Sequence, residues 1–228
     1  MDFLPIFVNA RGRVGRLIAG MSDEEAKAPV PGTPLWTVHD VVAHLAGVTS
    51  DTVNAKLEGA GTPEWTARQV EARRDRSIAE LVEEWEASGP ALEPLFNQGE
   101  GVPFVAIDAL THEHDLRGAL GQPGPADDDT VVAVIGRIAS MVLTPRLDKG
   151  GLPALRLVTP QQTWVAGSAA VGATAHASAI ELFRSLMGRR SAAQIRRYQW
   201  EGEPEPYFTV YNLFGPLPET DVLEAGAT

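Results

Sequence analysis

The chain has 228 residues, 44% of them hydrophobic, and 30 acidic against 19 basic side chains give a formal charge of −11. A field of that sign repels phosphate backbones and argues against a nucleic-acid partner, while the absence of cysteine excludes disulfides and any nucleophilic thiol of the protein's own. No run approaches the roughly 18 uninterrupted apolar residues of a membrane helix, and Met1-Asp2-Phe3-Leu4-Pro5 opens no basic-then-apolar leader, so a cytoplasmic protein without membrane contact is expected.

In the first half, helix signals follow one another closely. Phe3 to Ile18 reads as a helix with Phe7, Val14 and Leu17 near one side. Ser22 and Glu25 fit a capping box over a short turn, and Pro29 to Pro34 breaks the chain. Thr37 with Asp40 three residues on caps a long helix reaching towards Leu57. Thr62-Pro63 is an N-cap followed by proline at the first helical position. Ser77 with Glu80 forms another capping box before the apolar stripe Ile78, Leu81, Val82 and Trp85, which Gly89-Pro90 is expected to interrupt. A last helix covers Pro103 to Leu120. Four substantial helices joined by loops predict a four-helix bundle.

The segment from Gly121 to Pro125 ends that bundle, which places a domain over residues 1–125 and a second over 126–228. Asp127-Asp128-Asp129 then opens a helix to about Leu143, with carboxylates at its positive end. Leu155–Val158 and Thr163–Val165 read as strands around Pro160. Ser178 with Glu181 caps a helix carrying Ile180, Phe183 and Met187, Gly188 stops it, and Ser191 with Gln194 starts another. Tyr207 to Tyr211 is β-rich, and the acidic tail after Pro218 reads as frayed. The whole is a small α+β module. Three arginine pairs, Arg73-Arg74, Arg189-Arg190 and Arg196-Arg197, read as solvated helix ends.

The chemistry centres on the histidines: His39, His44, His112, His114 and His176. A turn of about 100° per residue sets Asp108 and His112 on one helix face, with Asp115 beside them and His114 well away. An i, i+4 carboxylate–histidine pair lets one helix supply two metal ligands, and a third comes from another helix. His44 lies among apolar neighbours in Asp40-Val41-Val42-Ala43-His44-Leu45 and is expected to point inward. Two histidines and a carboxylate leave a tetrahedral ion one open position, the pattern of a catalytic zinc. The plain alternative is a hydrogen-bonded core histidine. Asp40 reads as a cap partner, and His39, His114 and His176 as surface or packing residues.

At these residues the sequence resembles a known family. Trp36-Thr37-Val38-His39-Asp40-Val41-Val42-Ala43-His44-Leu45 is similar to the opening motif of the mycothiol-dependent maleylpyruvate isomerase family, within the DinB/YfiT-like superfamily. His112-Glu113-His114-Asp115-Leu116-Arg117 resembles its second motif. The likeness extends to the C-terminal module, which resembles that family's sterol-carrier-like domain. It implies a DinB-like four-helix bundle followed by a small α+β domain, with a divalent metal, usually zinc, and a low-molecular-weight thiol such as mycothiol.

By that resemblance His44 and His112 correspond to the histidine ligands. Asp108 stands where the family usually has glutamate, and this shorter side chain puts its ligand role in question. Glu113 is the nearest other carboxylate, at the wrong helix angle. The family's arginine after the second helix is matched best by Arg74, with Arg68 and Arg73 as competitors; it would pair with an anionic substrate or cofactor. The implied function is a metal- and thiol-dependent isomerase or S-transferase acting on an electrophilic small molecule, with Asp115 orienting a ligand histidine. Two other readings are a non-catalytic metal- or small-molecule-binding protein and a structural bundle in which His44 and His112 bond each other. The sequence does not indicate an oligomeric state.

Overall fold

A computed structural model describes residues 2–97, 102–124, 128–211, 213 and 217–225. The chain forms two compact units, Met1–Pro123 with Glu224–Thr228, and Gly124–Leu223. The first is helical; the second carries a small four-stranded sheet. The expected boundary at Pro125 lies outside the described residues, and the chain passes between the units at Pro123/Gly124.

In the first unit the helices are α1 (Leu4–Leu17), α2 (Val38–Val53), α3 (Pro63–Glu71), α4 (Ile78–Leu92) and α5 (Val102–Ala119). Their starts follow local chemistry. The Thr37 side chain accepts from the Asp40 amide while Asp40 reaches back to the Thr37 amide and hydroxyl, so α2 begins at a fixed residue. Ser77 and Glu80 do the same for α4, and Thr62 caps α3 ahead of Pro63. Helix α2 packs on α3, α4 and α5, and α1 on α5. Phe7, Val14, Val41, Leu45, Leu81, Leu92, Leu110 and Leu116 fill the core between them.

Gly89-Pro90 does not interrupt α4. The helix runs on to Leu92 and tightens into a 3-10 turn over Glu93–Asn97, so the N–H that proline lacks falls in the last turn. Gly89 has a packing role instead: a Cβ there would overlap the Arg11 guanidinium.

The second unit opens with α6 (Asp129–Ile138), capped by Asp128, and continues through a wide π turn over Ala139–Leu143 into α7 (Thr144–Gly150). The helical path therefore outlasts the expected end near Leu143. Pro145 cannot donate to the preceding turn, and the π turn with the Thr144 hydroxyl on the Ala139 carbonyl absorbs that break. Among the described residues, the run Asp129–Gly150 is long and apolar enough to cross a membrane by length and composition alone. In this fold it is a core helix: Val131, Val134, Ile135, Ile138, Leu143 and Leu147 are buried.

The strands are β1 (Ala154–Val158), β2 (Thr163–Ala166), β3 (Val171–His176) and β4 (Gln199–Glu201), in the order β2-β1-β3-β4. β1 pairs antiparallel with β2 and parallel with β3, and β4 runs antiparallel to β3. Helices α8 (Ala179–Leu186) and α9 (Ala192–Arg196) connect β3 to β4, each with the serine cap read from the sequence. Tyr207–Tyr211 is not a strand; Pro204 and Pro206 favour a 3-10 turn over Glu205–Tyr207, with turns after it. The described tail is tied down rather than frayed. Asp221 bonds Ser191 and Arg197, Val222 bonds Gln194, and the Ala225 amide donates to the Gly118 carbonyl. Arg190 is not a solvated helix end either: it is buried and grips Glu181 with two nitrogens.

Trp85 is the largest fully buried side chain of the protein, and its indole N–H donates to the Thr49 hydroxyl at 2.9 Å. Trp85→Ala should destabilise the protein by about 3–5 kcal/mol in urea unfolding. Trp85→Phe, which keeps most of the volume and loses the hydrogen bond, should cost closer to about 1–2 kcal/mol. Equal losses in the two variants would contradict this packing.

Candidate metal centre

The capping box at Thr37 fixes where α2 starts and so sets His44 on its seventh residue, two turns in, facing α5. α5 supplies Asp108 and His112 one turn apart. One ligand-type atom from each of His44, Asp108 and His112 can be chosen so that all lie within 4.8 Å of one another. His44 and His112 are 4% and 5% exposed; Asp108 is half-buried, at the open side of the cluster.

Each imidazole turns Nε2 to the same carboxylate. Asp108 Oδ2 lies 3.3 Å from His44 Nε2, and Oδ1 lies 3.5 Å from His112 Nε2. Each Nδ1 faces an acceptor on the far side. His44 Nδ1 donates to Gln69 Oε1 at 2.8 Å, and Asp115 Oδ2, fully buried, lies 2.9 Å from His112 Nδ1. The histidines do not bond each other; their rings meet edge-on with centroids 5.0 Å apart. Trp36 closes one side, its ring centroid 5.1 Å from His44 and 5.8 Å from His112.

With both Nδ1 atoms carrying the proton, both Nε2 lone pairs and a carboxylate face one another with no hydrogen between them. Asp108 Oδ2 is buried and has no hydrogen-bond partner. A cation relieves that repulsion. Ligand atoms about 2.0–2.1 Å from a tetrahedral ion sit about 3.3–3.4 Å apart; each Nε2 lies at 3.3 or 3.5 Å from one of the two Asp108 oxygens, and one atom of each residue lies within 4.8 Å of the others. The donor set therefore fits a divalent ion of the zinc class, and the shorter aspartate reaches both imidazoles.

In the metal-free protein, a proton on His112 and the negative charge of Asp108 favour one another. Burial alone would raise the Asp108 carboxyl, but the two imidazoles outweigh it and hold it well below the usual carboxylate range. Burial alone would lower His112; Asp108, with help from Asp115, overcomes it and raises the ring above its ordinary value.

Other residues singled out in the sequence lie apart from the cluster. Arg74 is an exposed side chain paired with Glu71, and Arg68 reaches the Glu58 carbonyl. Arg73 bonds Glu84 and the Gln69 carbonyl. Glu113 is buried under Arg13 and Arg117 on another face of α5. Asp40 completes the α2 cap, His39 bonds the Arg76 carbonyl, His176 pairs with Glu201, and His114 is buried in the bundle. Gln69 and Trp36 were not read from the sequence as parts of the site. A signal for Gln69 existed in Gly47, a helix-interior glycine one turn past His44, because a Cβ there would stand 2.6 Å from the Gln69 Cβ.

The family model "Mycothiol maleylpyruvate isomerase N-terminal domain" matches residues 7–99. The crystal structure of the mycothiol-dependent maleylpyruvate isomerase aligns with a TM-score of 0.56 at 12% identity, covering 95% of this chain and 96% of that one. A histidine-to-alanine mutant of that enzyme aligns with a TM-score of 0.56 at 13% identity, with the same coverage. At such identity the likeness establishes the fold across both units. No curated protein matches the chain.

The stability of the metal-free protein should carry the mark of this proton. A raised histidine contributes stability that is complete below its unfolded value, about 6.5, and is lost as pH rises through the raised one. The depressed Asp108 contributes above about 3.8 and loses its share as pH falls. Urea unfolding of the metal-free protein should therefore show stability falling as pH rises above about 6.5, with a flatter profile in Asp108→Asn. An identical slope in the two proteins would contradict the arrangement.

Proposed function

We propose, from the match of residues 7–99 to the model of mycothiol maleylpyruvate isomerase N-terminal domains, that the chain is a divalent-metal- and thiol-dependent enzyme acting on an electrophilic small molecule. The observation that carries this reading is the convergence of His44, His112 and the Asp108 carboxylate, with one ligand-type atom of each within 4.8 Å of the others and each Nε2 turned to the carboxylate. His44, Asp108 and His112 hold the metal, and zinc is the ion that suits two imidazoles and one carboxylate with a position left open. When bound, such an ion would lower the pKa of a thiol so that it loses its proton to solvent near neutral pH; the thiolate could then add to an electrophilic double bond and leave again, for isomerisation, or stay once the neighbouring carbon takes a proton, for S-transfer.

The chain's own residues have defined tasks. Gln69 and Asp115 keep the Nδ1 proton on each histidine and turn the lone pairs inward. Trp36 walls the site and excludes water from one side of it. Asp108, the most open of the three, marks the side from which substrate and thiol enter. Because the protein has no cysteine, the thiol is supplied by a small molecule, and mycothiol is the one named by the family. Low-molecular-weight thiols are kept reduced in the cytoplasm, which is where this activity belongs.

A non-catalytic binding role is the second reading, favoured by one observation. Arg74, the arginine expected to receive an anionic group, is held in a surface ion pair with Glu71.

The protein purified from cells should carry close to one equivalent of divalent metal, and His44→Ala and His112→Ala should each lose it. In the cobalt-loaded protein, added mycothiol should change the visible spectrum, as expected for sulfur entering the coordination sphere. Metal binding without any response to thiol would favour the second reading. A wild-type protein that takes up no divalent ion would overturn the metal-dependent reading.

A further inference from the structure

The metal-centre reading leaves one question about His44: what decides which of its nitrogens carries the proton. A neutral imidazole has two tautomers, and only the one with the proton on Nδ1 turns a lone pair towards Asp108. We propose that Gln69, clamped by Asp51, is a positioning residue that selects this tautomer of His44.

What each group is able to donate fixes the arrangement. The Asp51 carboxylate only accepts, and its Oδ2 lies 2.8 Å from Gln69 Nε2. The amide therefore presents its NH2 to Asp51 and its oxygen to His44, where Oε1 lies 2.8 Å from Nδ1. An amide oxygen cannot donate, so Nδ1 must. Rotating the Gln69 amide by half a turn would set its carbonyl against the Asp51 carboxylate and its NH2 against the ring. The hydrogen bond to Asp51 would become a repulsive contact, and the NH2 would suit only a ring with its proton on Nε2; Gln69 is only 2% exposed and unable to turn to water instead. The charge on Asp51 is thus read out at His44 through one intervening amide.

The surrounding fold is arranged for this contact. The buried residues of α3 are Trp65 and Gln69, so this short helix delivers Gln69 against α2. Gly47 makes the approach possible, since any side chain there would collide with the Cβ and Cγ of Gln69 at 2.6 and 2.8 Å. At His112 the group beside Nδ1 is instead a carboxylate, Asp115, with Oδ2 2.9 Å away. The two ligand histidines therefore have unlike supports: a charged one for His112, and a neutral one, with its charge set one group back, for His44.

The test reads the tautomer directly and needs no bound metal. In metal-free protein with 15N-labelled histidine, at a pH where the imidazoles are neutral, long-range 1H–15N spectra distinguish a protonated ring nitrogen from one with a lone pair. Wild-type His44 should show its proton on Nδ1. Asp51→Ala, at a half-exposed position that leaves the packing of α2 on α3 in place, should let the amide turn and move proton population to Nε2. Gln69→Leu should do so further. Both should weaken zinc binding, by about 10–100-fold in the second case. The paired change Asp51→Asn with Gln69→Glu keeps the total charge and restores an acceptor at Nδ1, so it should return the wild-type tautomer and most of the affinity. His112 should be unchanged throughout.

A His44 spectrum that is the same in wild type, Asp51→Ala and Gln69→Leu would overturn the inference. So would failure of the paired change to restore what Gln69→Leu loses. A wild-type protein with its proton on Nδ1 that binds no zinc would instead sink the metal-centre reading and leave the positioning role supported.

Discussion

Three hydrogen-bond acceptors turned towards one another inside a helical bundle repel unless something positive stands among them. His44, His112 and Asp108 are in that position, and much of the first unit is explained by what holds them there. The Thr37–Asp40 box fixes the start of α2 and with it the level of His44. The one-turn spacing on α5 places Asp108 beneath His112. Gln69 and Asp115 prevent either ring from escaping the repulsion by moving its proton to the inner nitrogen. Such an arrangement is costly as a purely structural core, because a packed apolar cluster of similar volume would avoid the penalty. It is economical as a receptor for a cation.

The same view accounts for the protein's charge. A formal −11 does not favour an anionic substrate, and the arginines of the segment after α3 are engaged with Glu71, Glu84 and backbone carbonyls. The positive charge at the centre would come from the bound ion. Where the ion is absent, a proton on an imidazole serves the bundle in its place, which ties metal affinity to acidity.

Much of this was legible in the sequence because helix starts are written in local chemistry. Thr37/Asp40, Ser77/Glu80, Ser178 and Ser191/Gln194 all cap the helices they announce. Helix periodicity set Asp108 and His112 on one face of α5 and apolar neighbours turned His44 inward, while the resemblance of the two motifs to those of a known family joined the three into one candidate site. What stayed hidden depends on tertiary context. β3 is made of Val171, Gly172, Ala173, Thr174, Ala175 and His176, too small and mixed to show a strand pattern, and it exists because β1 offers it a parallel edge. Three-residue β4 carries no pattern of its own. Tyr207–Tyr211 has β-forming residues, but its prolines and buried Tyr207 impose turns. Gln69 looks like any polar residue on a short amphipathic helix, and only the glycine opposite it hints at a close contact.

The most direct test of the account is the location of the ion itself. A crystal of the zinc-loaded protein, with anomalous data collected at the zinc edge, should show one strong peak about 2.0–2.2 Å from His44 Nε2, His112 Nε2 and an Asp108 oxygen. A fourth position should be held by solvent or by added thiol. A peak at another place, such as the exposed His176–Glu201 pair, with the His44 cluster empty, would contradict the central claim.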